Sequence, residues 1–197
     1  MHKHGSAVTS ASSAFKRRPA RQAAMAACLA TLAAQAAAQS FTVTSTSLQG
    51  GRVDAQQVYD KDGCTGGNRS PQLSWRNPPP GTRSFAVTMF DPDAPGKGWW
   101  HWAVAGIPAS VTQLPENASA SGFLKRIHAF EARNDYDADG YGGPCPPPGK
   151  PHRYVITVYA LGTTDLRLAP DRPPVMFDHE IQTTALGSAK LTVEYGR

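Results

Sequence analysis

The sequence contains little cysteine and little unbalanced charge, and both shortages limit what the protein can be. Only three of its 197 residues are cysteine, at Cys28, Cys64 and Cys145. They form no C-x-x-C pair, which excludes a zinc ribbon and a thioredoxin-like redox site. The sequence also lacks a G-x-S-x-G elbow and a P-loop, so it offers neither a serine-hydrolase nucleophile nor a Walker-type nucleotide site.

The net charge of +5 lies entirely in the first 38 residues. This segment holds five of the 20 Lys and Arg residues and no acid, so residues 39–197 carry 15 charges of each sign. A neutral domain lacks the basic surface that binds a nucleic-acid backbone. Nucleic acid is therefore not expected as a partner.

Residues 1–38 have the order of a secretory signal peptide. A basic stretch at 16–21 precedes an Ala-rich apolar run at 23–34, and Ala36-Ala37-Ala38 offers an A-x-A cleavage site. The apolar run is shorter than the roughly 20 residues that a membrane anchor needs. We therefore predict a cleaved signal at 1–38 and a periplasmic or secreted domain at 39–197.

Export would determine which cysteines remain in the mature protein and whether they can form a disulfide. Met25-Ala26-Ala27-Cys28 resembles a lipoprotein box, but the apolar run continues past Cys28, so lipidation there is not expected. Cleavage removes Cys28 and leaves Cys64 and Cys145 in an oxidising compartment. We predict a disulfide between them; the alternative is two unrelated buried thiols.

Short segments with alternating apolar residues predict strands separated by Pro-rich turns. One amphipathic helix is predicted near 175–186, with Gly187 as its stop signal, and a weaker helical stretch at 123–130. The segment at 154–159 is apolar on both faces, which is typical of a central strand. Many strands and few helices predict an all-β sandwich or barrel. The predicted strands lie at 41–45, 85–89, 154–159 and 190–195.

Strand alternation assigns the side chains of the segment Trp99–Trp102 to two faces. It places His101 on the face of Ala103, and Trp100 and Trp102 on the opposite face. Tryptophans at such spacing are more often core residues than a ligand platform.

A second histidine, His152, shares a face with Tyr154 by the same rule. If the strands that carry His101 and His152 are neighbours, both histidines and Tyr154 converge beneath the loop of Asp91. These groups supply hydrogen-bond donors, and partly protonated histidines favour an anion. Two alternatives stay open: a two-His, one-carboxylate metal site for hydrolysis, and purely structural roles.

An acidic turn at Asp135–Gly140 matches the start of a calcium loop. The bidentate Glu that such a loop needs at its twelfth position would fall on Pro146, so the motif fails.

Five short motifs stand out along the chain: Ser70-Pro71-Gln72-Leu73-Ser74-Trp75, Asp91-Pro92-Asp93-Ala94-Pro95, Trp100-His101-Trp102, Gly140-Tyr141-Gly142-Gly143-Pro144-Cys145 and His152-Arg153-Tyr154. Together they resemble the phosphatidylethanolamine-binding protein family, in particular its bacterial Raf kinase inhibitor-like branch. The resemblance covers about residues 60–195.

The resemblance implies an antiparallel β-sandwich with one or two short helices and a small anion pocket. It implies a non-enzymatic binding protein for phosphate or phosphoethanolamine-type head groups, with no cofactor, no metal and no catalytic residue. Membrane contact is expected only through lipid head groups, and a homodimer and a secreted inhibitor of other proteins stay open. The implied ligand-binding residues are Asp91, Asp93, Trp100, His101, Pro144, His152 and Tyr154.

Overall fold

The computed structural model describes residues 39–166 and 174–197. Within these ranges the chain forms eight strands, two α-helices and one 3-10 helix at Gln49–Gly51. The helices are α1 at Phe123–Arg126 and α2 at Pro174–Thr184. The strands are β1 at Thr42–Thr44, β2 at Leu73–Arg76, β3 at Ser84–Asp91, β4 at Trp99–Pro108, β5 at Gln113–Leu114, β6 at Phe130–Glu131, β7 at His152–Leu161 and β8 at Ala185–Tyr195. The predicted signal peptide lies outside the described residues.

The strands form two antiparallel sheets. The smaller has the order β1-β2-β5 and the larger the order β6-β4-β3-β7-β8. One apolar cluster contains side chains of both sheets, including Trp75 of β2 and Phe85 of β3, which meet edge to face. Burial of aromatic and branched side chains between two sheets is the main stabilising feature of a sandwich. The predicted antiparallel β-sandwich is confirmed.

Strand β7 lies inside the larger sheet and β8 lies at its edge. The segment at 154–159, which is apolar on both faces, pairs with β3 on one side and with β8 on the other. The central position predicted for it is confirmed. Strand β8 alternates between exposed and more buried residues, as a half-covered edge strand should.

Helix α2 covers the second face of the larger sheet. Its Phe177 and Ile181, four residues apart, are fully buried against small side chains such as Ala86 and Ala105. The helix is confirmed, but its predicted end is wrong, because it stops at Thr184 and Gly187 belongs to β8. The absence of a side chain at Gly187 instead lets β8 pack closely against Pro79, because a Cβ there would lie 2.9 Å from the Pro79 ring.

The weaker helix predicted at 123–130 is shorter than expected. Only Phe123–Arg126 is helical, and Phe130 already pairs with β4. Among the described helices, none combines the length and the apolar character that a membrane span requires.

A β-bulge at His101 changes the face on which this side chain lies. Met89 of β3 pairs with Trp102 and the next residue, Phe90, pairs with Trp100, so His101 is the extra residue. Such a bulge interrupts the alternation of side chains.

The predicted face of His101 is therefore wrong. Its ring contacts Tyr154 in the core between the sheets, and Trp102 packs in this same core. Ala103 packs on the helix side of the sheet. The strands that carry His101 and His152, β4 and β7, are not direct neighbours, because β3 lies between them.

Candidate anion-binding site

A cavity of about 460 Å³ opens at one end of the larger sheet, where β3 ends and β4 and β7 begin. This volume falls within the roughly 300–1,000 Å³ of small-molecule sites. Four of the predicted site residues line it, and they come from all three of these strands. The lining residues are Asp62, Asp91, Ala94, Pro95, Trp99, His101, Asp135, Tyr136, Asp137, Cys145, Pro146, Pro147, His152 and Tyr154.

Asp91 is a buried carboxylate whose two oxygens both accept hydrogen bonds. Oδ2 lies 2.7 Å from Nδ1 of His152, and Oδ1 accepts from the backbone N–H groups of Asp93 and Ala94 at 2.8 and 3.0 Å. The carboxylate thus holds the His152 ring with its proton on Nδ1, and it also fixes the loop that follows β3. This leaves Nε2 as the remaining polar atom of His152.

His101 is a buried, neutral histidine of fixed tautomer. Its Nδ1 lies 2.7 Å from the carbonyl oxygen of Gly142, which can only accept, so Nδ1 carries the proton. Burial lowers the pKa of His101 to about 4, outweighing the hydrogen bond to Gly142 and the charge of Asp91, which raise it. The expected partial positive charge on this histidine is therefore wrong at neutral pH.

Tyr154 carries one of two buried, unpartnered polar atoms on the cavity wall, and the other is the indole Nε1 of Trp99. The residue is fully buried, and its hydroxyl has no hydrogen-bond partner within the described structure. Burial, and secondarily the charge of Asp91, raises the pKa of this phenol far above its usual range, so it stays protonated as a donor. Its ring centroid lies 5.2 Å from that of His101.

Three of the residues implied by the family resemblance do not line the cavity. Asp93 accepts two bonds from the Arg153 guanidinium, at 2.6 and 2.8 Å, and these bonds lower the pKa of its carboxyl. Trp100 packs against Phe90, with ring centroids 4.5 Å apart. Pro144 is buried, and its carbonyl accepts from the backbone N–H of Tyr59 at 3.1 Å.

The cavity also has an aromatic and acidic rim that the sequence analysis missed. Tyr136 stacks on Tyr59 at 4.0 Å and meets Trp99 edge to face at 5.3 Å. Asp135 accepts the backbone N–H of Trp100 at 2.7 Å, and Asp137 pairs with Arg133 outside the cavity. The acidic turn was recognised in the sequence, but nothing local placed it beside His101.

The predicted disulfide is present and fixes one wall of the cavity. Cys64 and Cys145 are bonded, with their Cα atoms 6.0 Å apart. Arg197 strengthens the same junction, donating to the carbonyl oxygens of Pro146 and Gly63 at 2.7 and 2.8 Å. The loop that carries Asp62 is thereby tied to the Pro-rich loop before β7.

The charge of the lining differs from that of a simple anion site. Four carboxylates line the cavity, but no Lys or Arg is among the described residues that line it. Nor do the described residues include any group of three or more His, Cys, Asp and Glu side chains arranged to hold a metal ion. The site thus combines two unpartnered donors, the Tyr154 hydroxyl and the Trp99 indole N–H, with histidine nitrogens and an acidic rim.

Comparison with known proteins agrees with the resemblance. The family model described as phosphatidylethanolamine-binding protein matches residues 33–196. The UPF0098 protein YbcL of Escherichia coli is 43% identical over 84% of this chain and 91% of its own length. YbhB of the same organism is 35% identical, over 78% of this chain and 98% of its own. LppC of Mycobacterium tuberculosis, whose name includes the word lipoprotein, is 33% identical over 79% of this chain and 72% of its own.

A solved structure supports the same assignment. The crystal structure of E. coli YbcL, described as a new member of the mammalian PEBP family, superposes with a TM-score of 0.76 at 40% sequence identity. The superposed region covers 80% of this chain and 98% of the YbcL chain. The chain therefore belongs to the phosphatidylethanolamine-binding protein family.

Proposed function

We propose that this protein is a non-enzymatic binding protein whose cavity takes a phosphate or phosphoethanolamine-type head group. The observation that carries the proposal is the buried, unpartnered hydroxyl of Tyr154 beside His101. A buried donor without a partner costs free energy in the empty protein, and a ligand oxygen that accepts from it recovers that cost. A phosphate group offers several such oxygens.

The rim favours phosphoethanolamine over bare phosphate. Carboxylates at Asp62, Asp135 and Asp137 repel an uncompensated anion and attract an ammonium group. The rings of Trp99 and Tyr136 add faces on which a cation is stabilised. A small zwitterion would place its phosphate near Tyr154 and its ammonium at the rim.

The lining also supports binding without catalysis. Asp91 already accepts three hydrogen bonds, which favours a positioning role over nucleophilic attack. Cys145 is held in the disulfide, so it presents no thiolate. The rival function is hydrolysis by a metal held at His101, His152 and Asp91, and addition of a divalent metal to the binding assay separates it.

Tyr154→Phe is expected to weaken binding of O-phosphoethanolamine without destabilising the protein. Loss of a hydrogen bond to a charged group costs about 1.5–3 kcal/mol, or about 10- to 150-fold in Kd. The free energy of unfolding should stay constant or rise, because the empty protein loses an unsatisfied buried donor. Calorimetric titration and urea unfolding measure the two quantities.

Tyr159→Phe is the matched control for this experiment. Tyr159 lies on the same strand, but its hydroxyl donates to Asp178 of α2 at 2.9 Å and it does not line the cavity. Loss of the Tyr159 hydroxyl should leave the Kd for O-phosphoethanolamine unchanged. Equal affinity of Tyr154→Phe and the parent protein would refute the proposed site, and binding that requires a divalent metal would favour the hydrolase.

We further propose that the protein works outside the cytoplasm, after cleavage near Ala38. The disulfide supports this location, because such bonds persist in oxidising compartments. The lipoprotein name of the relative LppC agrees with it. N-terminal sequencing of the protein from its own cells should give a first residue at or near Gln39; retention of residues 1–38, or an acylated Cys28, would contradict the proposal.

A further inference from the structure

We infer that the cavity binds a phosphate monoester in its singly protonated form, and that it discriminates against both the dianion and phosphodiesters. This inference rests on the proposed function and specifies its ligand class. It separates free phosphomonoesters from intact phospholipids, because the phosphate of a phospholipid head group is a diester and has no P–OH proton.

The first observation is that His101 presents an acceptor. Its Nδ1 proton is committed to the carbonyl oxygen of Gly142 at 2.7 Å, so Nε2 is the remaining polar atom of the neutral ring. A fully ionised phosphate oxygen has only lone pairs to offer, so it meets the Nε2 lone pair unfavourably. A P–OH group donates to the same atom.

The second observation is the donor beside that acceptor. The hydroxyl of Tyr154 is buried and unpartnered, and the Tyr154 ring contacts the His101 ring edge to face. This donor next to the His101 acceptor matches a phosphate with one acceptor oxygen beside one donating hydroxyl, and such a phosphate has further oxygens for the second unpartnered donor of the lining, Nε1 of Trp99. The monoanion of a phosphomonoester has this pattern, whereas its dianion and a diester lack the donor.

The negative charges that line the cavity also disfavour a dianionic ligand. The titratable groups that line the cavity are Asp62, Asp91, Asp135, Asp137, Tyr136, Tyr154, His101 and His152. Desolvation keeps His101 neutral, so its ring supplies no positive charge to offset that of an anionic ligand. Nδ1 of His152 is paired with the Asp91 carboxylate at 2.7 Å. A second negative charge on the ligand would face the remaining carboxylates without compensation.

The test compares three soluble ligands that carry the same ethanolamine group. O-phosphoethanolamine has a titratable phosphate, whose second pKa is about 6. Ethanolamine O-sulfate carries one negative charge at all relevant pH values and no proton, and glycerophosphoethanolamine is the phosphodiester. Calorimetric titration of the parent protein with each, from about pH 5 to about pH 8, brackets the ligand titration.

O-phosphoethanolamine should bind most tightly near pH 5 and lose about tenfold in affinity per pH unit above 6, to about 100-fold by pH 8. The sulfate and the diester should bind at least about tenfold more weakly at pH 5, the loss expected for one hydrogen bond. The affinities of the sulfate and the diester should not fall with pH in this way. The slope should persist in His152→Asn, because it originates in the ligand.

Three other outcomes are informative. Equal pH profiles for the three ligands, or loss of the slope in His152→Asn, would overturn the inference, because either result would mean that the slope does not originate in the phosphate. Tighter binding of O-phosphoethanolamine at pH 8 than at pH 5 would also overturn it. If none of the three ligands binds at any pH, the proposed function itself fails.

Discussion

Replacing both Cys64 and Cys145 with Ser is expected to lower the free energy of unfolding by about 4–5 kcal/mol on the chain-entropy account of disulfides. The two residues are 81 positions apart, so the bridge closes a long loop and restricts the unfolded chain strongly. Urea unfolding of the disulfide-bonded protein and of the variant measures the loss.

The reduced parent protein is the control for this variant. Reduction should destabilise the parent by the same amount, and the double variant should show no further change with reductant. A loss below about 1 kcal/mol would contradict the expectation and would mean that the bridge restricts the unfolded chain little. Affinity for O-phosphoethanolamine should fall as well, because Cys145 and the adjacent Pro146 line the cavity.

Replacing His101 with Ala is expected to have the largest effect on ligand binding. The change removes the acceptor at Nε2 and leaves the carbonyl oxygen of Gly142 without its 2.7 Å partner. One hydrogen bond to a charged ligand is worth about 1.5–3 kcal/mol, so Kd should rise by at least about 10- to 150-fold. For so small a ligand this is a large share of the total affinity.

His179→Ala is the matched control, since His179 is an exposed histidine on α2, on the far face of the larger sheet. Calorimetry should show unchanged binding for this variant. Circular dichroism and the urea midpoint verify that His101→Ala is folded. A folded His101→Ala protein that binds as tightly as the parent would show that this histidine does not contact the ligand.

Alternation of apolar residues predicted four of the eight strands in the described part of the chain, namely β1, β3, β7 and β8. The segment at 154–159 was recognised as an inner strand because it is apolar on both faces, and Phe177 and Ile181 identified the buried face of α2. The prediction that Gly187 ends α2 was wrong. A glycine often follows the last turn of a helix, whereas this glycine lies in β8 and makes room for Pro79.

The sequence predicted which residues meet in the candidate site, but not how the strands bring them together. His101, His152, Tyr154 and Asp91 do converge, but a bulge directs His101 to this side of the sheet, and alternation rules contain no bulges. The neutral state of His101 also escaped prediction, because it depends on complete burial. The rim residues come from loops distant in sequence, which only the folded chain brings together.

The most direct test of the central claim is a crystal structure of the protein with O-phosphoethanolamine, grown at about pH 5.5, below the second pKa of the phosphate. We expect the phosphate group within hydrogen-bond distance of the Tyr154 hydroxyl and of Nε2 of His101, with the ammonium group at the rim formed by Asp62, Asp135 and Asp137. An empty cavity at saturating ligand, or a phosphate bound elsewhere on the protein, would contradict the account.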